Sequence, residues 1–176
     1  MLFVYNNINM NKRFKLFLLF TLAFAFNAIA QQNTNPKYIK VKTGYLMVLR
    51  QGDDVLSNIE ELAEKEKIPS ANFTGMGFVN AKFGFFNFET KEYEPKEFSK
   101  VELASMNGTI AWQKGKVSIH AHGVVTDKTF AAFGGHLLSA TVDTGSLEIL
   151  ITIHDKKLER TLEDPPGANV LQLRAN

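Results

Sequence analysis

Between residues 55 and 65 the apolar side chains Val55, Leu56, Ile59, Leu62 and Ala63 recur at three- and four-residue spacing, while Glu60, Glu61, Glu64 and Lys65 take the other face. That period predicts an amphipathic helix. Gln51-Gly52-Asp53-Asp54 supplies turn and N-cap chemistry ahead of it, and Pro69 limits it behind. No other segment carries a convincing helical period. Residues 38–50 are rich in β-branched and aromatic side chains and predict one strand, with Gly44 marking a bend. After the helix the pattern is strand throughout: residues 71–88, 98–112, 116–126, 129–138 and 146–154. Gly75, Gly77 and Gly84 sit among aromatics in the first of these, as bends or close backbone contacts. Asn107-Gly108, Lys114-Gly115, Asp127-Lys128 and Asp143-Thr144-Gly145 punctuate the strands, and residues 91–96 read as a charged turn. From Leu162 the tail reads as irregular through Asp164-Pro165-Pro166-Gly167, then turns apolar at Val170-Leu171-Gln172-Leu173. One strand, one helix and then a run of strands predict a single α+β domain with a mostly antiparallel sheet.

The first thirty residues follow a different rule. Lys12, Arg13 and Lys15 precede an apolar run over residues 16–26 broken only by Thr21, and small residues follow at Ala28 and Ala30. This matches a secretory signal peptide over residues 1–30, cleaved after Ala30, and the run is short of the roughly 20 residues that span a bilayer. Met10 would give such a signal a more ordinary length than Met1. The expectation is an exported protein, periplasmic or extracellular, with a polar leader at 31–37, a domain at 38–160 and a tail at 161–176 packing on it.

Removing that segment changes the charge. The chain has 20 basic and 18 acidic residues, and three of the basic ones lie before residue 31, which leaves 17 against 18, or about −1. A near-neutral domain has no bulk attraction for a polyanion, which argues against nucleic acid as a partner. There is no cysteine, which excludes disulfides, a thiol nucleophile and Cys-ligated zinc. Any metal must be held by His, Asp, Glu or backbone oxygen.

The chemistry concentrates in Ser118-Ile119-His120-Ala121-His122-Gly123 and Gly134-Gly135-His136. On a strand, residues two apart share a face, so His120 and His122 project together. A hairpin around residues 126–129 brings His136 to within a residue or two of them, and a bulge at Gly134-Gly135 would turn it onto the same face. Three neutral imidazoles suit zinc, and also nickel, copper or iron. A three-His set leaves a coordination position for water or substrate. The alternative is three histidines that merely pack and hydrogen-bond in the sheet. Glu102, on a strand among apolar neighbours, is the best candidate for a carboxylate beside such a site; Glu148 is a weaker one. His154 reads as solvent-facing and Asp127 as a turn residue. Gly75-Met76-Gly77 fits neither the dinucleotide fingerprint nor the P-loop. The phenylalanines of residues 73–88, without a basic groove, read as core and subunit interface rather than as a base-stacking platform.

Four ordered segments also resemble one family. "FTGMGFVNAKFGFFNFETKEY" at 73–93, "VELASMNGTI" at 101–110, "VSIHAHGVVTDKTFAAFGGHL" at 117–137 and "SLEILI" at 146–151 are together similar to the PPC domain, the plants and prokaryotes conserved domain. The resemblance covers residues 38–160, and "HAH…GGHL" is its most specific part. It implies a compact α+β fold, assembly as a homotrimer and, in the prokaryotic branch, a metal site on the histidine pattern. Plant members join the domain to AT-hooks that contact the minor groove. This chain has no Arg-Gly-Arg-Pro-like segment, so the DNA-binding label often given to prokaryotic members is the least favoured expectation. The leading one is an exported, trimeric three-His metal-binding module. A metal-dependent enzyme acting on a small substrate through the open position is the alternative.

Overall fold

A computed structural model describes residues 35–173; the proposed signal peptide and most of the polar leader lie outside the described residues. Strand β1 (Tyr38–Val41) turns tightly into β2 (Gly44–Arg50), so the segment read as one strand is a hairpin. Helix α1 (Val55–Lys65) follows, and its N-cap is Asp54, whose carboxylate accepts from the Ser57 N–H at 2.8 Å. Val55, Ile59, Leu62 and Ala63 form its buried stripe, as their spacing predicts.

Of the remaining strands, 71–88 and 116–126 form where expected, while the fourth and sixth are longer than their punctuation suggests. In chain order the strands after the helix are β3 (Ala71–Asn87), β4 (Glu92–Gln113), β5 (Lys116–Thr126), β6 (Ala132–Ile153), β7 (Glu159–Glu163) and β8 (Ala168–Gln172). Asn107-Gly108 does not end a strand. Its glycine lies under the Phe73 ring, where a Cβ would sit 2.1 Å from Cζ. Asp143-Thr144-Gly145 is likewise a bulge inside β6: Val142 pairs with Val79 and Leu147 with Gly77, so the β6 side carries the extra residues. The charged turn expected at 91–96 is the start of β4, and the reversal is formed by residues 88–91. The tail is a hairpin of β7 and β8 around Asp164-Pro165-Pro166-Gly167, attached beside β4 where Trp112 N–H donates to the Leu158 carbonyl at 2.9 Å.

All eight strands belong to one sheet, mostly antiparallel. β5 pairs with both β4 and β6, and β3 bridges β4 and β6 on the other side, so β3, β4, β5 and β6 close into a ring. Bulges at Gly75–Gly77, Val79–Ala81 and Leu103–Ser105 supply the local bends that closure requires. The core is one cluster, with Met47, Leu49, Phe73, Ile149 and Ile151 of the sheet and Ile59 and Leu62 of the helix fully enclosed.

Candidate metal centre

Period-two alternation along β5 sends Val117, Ala121, Gly123 and Val125 inward and leaves His120 and His122 on the opposite face. β6 sets His136 directly opposite His122. The sequence-based count was out of register and needed a bulge at Gly134-Gly135. The actual connection is longer, spanning residues 127–131, and the β5–β6 ladder runs without interruption from Thr126–Ala132 to His122–His136. Asp127 shapes that connection. Its carboxylate accepts from Thr129 N–H at 2.8 Å, Thr129 Oγ1 at 2.6 Å and Ala131 N–H at 3.2 Å. Gly134 serves close packing instead of a bulge. A Cβ there would lie 2.5 Å from the Gly123 carbonyl oxygen, so only glycine lets the two strands approach at this point.

The three rings form a nearly equilateral triangle, with centroid separations of 5.1, 5.1 and 5.2 Å. One ligand nitrogen from each lies within 4.8 Å of the others. The Nε2 atoms of His120 and His122 are 3.2 Å apart. Two imidazoles bound to one tetrahedral zinc at ~2.05 Å place their nitrogens about 3.3 Å apart, so the pair already has the spacing of a shared ion. Desolvation holds the His136 imidazole down at about 4, with the neighbouring charges of His120 and His122 adding to the effect. His120 is also lowered, first by desolvation and then by Arg160 and His122, although part of its ring stays exposed. Near neutral pH His136 is therefore neutral, the form that metal ligation needs, and the lowering of His120 acts in the same direction.

Glu102 does not join them. It is exposed on β4, opposite Phe78 and Thr126, and is not among the residues that converge. Glu148 is exposed opposite Val48 and Met76. His154 is not simply solvent-facing: it is half-buried, with Nδ1 3.2 Å from Ser70 Oγ.

Sequence reasoning missed the groups that frame the histidines. Tyr93 stacks on His136 at 4.6 Å between ring centroids, and desolvation raises its phenol pKa. Phe86 packs edge-on against Tyr93 at 5.2 Å. Arg160, on β7, is 5 % exposed and donates from Nη2 to Thr109 Oγ1, the residue opposite His120. A cleft of about 550 Å³ opens beside the imidazoles, walled by the Phe85–Tyr93 hairpin end on one side and by Gly167–Asn169 and Arg160 on the other. The signal for the second wall was a Pro-Pro-Gly turn between two short polar–apolar runs, a hairpin pattern hidden by its low hydrophobicity.

The model of the Plants and Prokaryotes Conserved domain matches residues 37–155. The chain belongs to that family. Among solved structures of similar proteins, one from Ralstonia eutropha, to which DNA binding has been provisionally ascribed, is 54 % identical, with 81 % of this chain and 100 % of that one covered at a TM-score of 0.78. A plant- and prokaryote-conserved protein from Pyrococcus horikoshii is 28 % identical, covering 81 % and 99 %, at 0.68. A metal-containing protein from Archaeoglobus fulgidus is also 28 % identical, covering 79 % and 99 %, at 0.67. No curated protein matches this PPC-domain chain.

Proposed function

We propose that this PPC-domain protein is a metal-binding module in which His120, His122 and His136 hold one divalent ion, zinc by preference. The observation that carries the reading is the convergence of three ligand nitrogens within 4.8 Å on a face with an adjoining cleft. The metal content of the Archaeoglobus fulgidus relative supports it. The donor set fits zinc, nickel, copper or iron and lacks the oxygens that calcium and magnesium require. An ion held by three imidazoles keeps a position open, and when bound supplies Lewis-acid polarisation to whatever occupies the cleft. The chain's own residues would present that occupant: Tyr93 fixes the His136 ring by stacking, and Thr109 orients Arg160.

The cleft favours the metal-dependent enzyme as the second reading, because a purely structural ion needs no ligand space. DNA binding is the weakest reading: Arg160 is the one Lys or Arg of the described residues on the cleft, and the chain after residue 30 is near neutral. Export rests on the leader described above. A homotrimer is supported by exposed apolar side chains on the outer sheet face, where Leu46, Met76, Val124 and Leu150 are 38–60 % exposed.

Metal analysis of the purified protein tests the centre. Wild type is expected to carry about one zinc per chain, and His120→Ala/His122→Ala essentially none, both eluting as trimers. Equal metal content in the two would sink the proposal, and retention of the leader fused to a cytoplasmic reporter would sink export.

A further inference from the structure

Arg160 is more deeply buried than any other charged side chain among the described residues, and it lacks a countercharge. No carboxylate of the described residues lies within 4.0 Å of it, while the ion pairs that do form are Lys37–Asp53, Lys82–Glu97 and Lys157–Glu159. Nη2 is used by Thr109, but Nε has no hydrogen-bond partner in the protein. A guanidinium presents five N–H donors in a planar fork, and a buried donor of that fork left without an acceptor is costly. The group also faces the cleft, whose lining holds three histidines and no aspartate or glutamate. Every ionisable group of the lining is thus basic, apart from the Tyr93 phenol, which is neutral near pH 7. The opposite wall is apolar: Phe85 and Phe88 are 73 % and 64 % exposed, and Phe86 and Tyr93 pack beside the histidines.

We infer that the cleft binds a small organic acid with a flat apolar body, its carboxylate held by Arg160 beside the three-His centre and its body lying on the Phe86–Tyr93 wall. Arg–carboxylate pairs are commonly made through two N–H groups, and this fork has donors beyond the one that Thr109 takes. The aromatic wall selects a hydrophobic body over a bare oxyanion. Thr109 acts as a positioning residue, fixing the guanidinium through Nη2. The inference rests on the reading of the imidazole cluster as a metal centre for the identity of the site, but its anion-binding half belongs to Arg160 and is separable.

Calorimetric titration of the purified protein with benzoate, benzamide and inorganic phosphate tests it, in zinc-loaded and zinc-stripped forms whose metal content is measured directly. Benzoate is expected to bind at least about tenfold more tightly than benzamide or phosphate. Arg160→Met should lose that preference by about the same factor while retaining wild-type zinc content, and Arg160→Lys, which keeps the charge but not the fork, should lose most of it. Phe86→Ala should weaken benzoate while leaving zinc unchanged. Benzoate binding to zinc-stripped wild type that depends on Arg160 would uphold the inference even if the metal reading failed. Zinc-loaded wild type that does not bind benzoate, equal affinity for benzamide, tighter binding of phosphate, or an unchanged benzoate affinity in Arg160→Met would each overturn it. Should Arg160→Met not fold, Arg160→Lys and the benzoate–benzamide comparison on wild type decide the matter.

Discussion

His136 is the residue where location and ionisation meet. Its imidazole is held at about 4, chiefly by desolvation, against 6.5 for the free group. Between those values the unfolded chain binds a proton that the folded chain refuses, so stability rises with pH across the window. The contribution is fully present above 6.5 and is lost as pH falls towards 4. Metal-free protein should therefore melt at progressively lower temperature as pH falls between those values, and His136→Gln should flatten part of that slope. A slope unchanged by the substitution would show that other groups carry it. His120 and His122 were legible in the sequence because strand alternation alone puts them together. His136 was legible only to within a few residues, because the Asp127 turn absorbs a length that residue counting cannot assign. Arg160 was not legible at all: its meaning comes from burial against Thr109, a residue 51 positions away.

At the scale of elements, misreadings fall where a strand lacks one buried face. Residues 92–97 are exposed on both sides, so no alternation marks the start of β4. The helix, with a capped start and a continuous stripe, came through intact. Turn-forming residues inside β4 and β6 proved to be bulges and close contacts, since the same residue types serve both purposes. The β5–β6 approach gives the sharpest element-level prediction. Gly134→Val places a branched side chain against the Gly123 carbonyl and should destabilise the protein by about 2–4 kcal/mol. Because that contact neighbours the His122–His136 pair, zinc affinity should fall as well. Urea melts and metal titration would read both effects; a variant with wild-type stability would mean that the strands part there without cost.

For the whole molecule, the closed ring of β3, β4, β5 and β6 explains why one domain can carry a rigid site on its outer surface: each histidine strand is flanked by pairing partners. The C-terminal hairpin is attached differently. Within β7 and β8 the one fully buried side chain is Arg160, and the hairpin's ties are mostly polar. Gln113 Nε2 donates to Asn169 Oδ1 at 2.6 Å, and Lys91 Nζ donates to the carbonyls of Pro165 at 2.7 Å and Pro166 at 3.2 Å. Such a segment opens by itself long before the core does. Amide exchange should thus be faster over 159–172 than in the middle of β3 and β6, and faster still in Lys91→Met, with core protection unaltered. Uniform exchange across the sheet would contradict this.

The Lys91 latch then has a kinetic meaning. It joins the tips of the two hairpins that form opposite walls of the cleft. For the occupant inferred above, affinity would be set at Arg160 and the imidazoles, whereas the Lys91 contact would bear on the rate of escape. Altering Lys91 should shorten residence far more than it weakens equilibrium binding at the anchor.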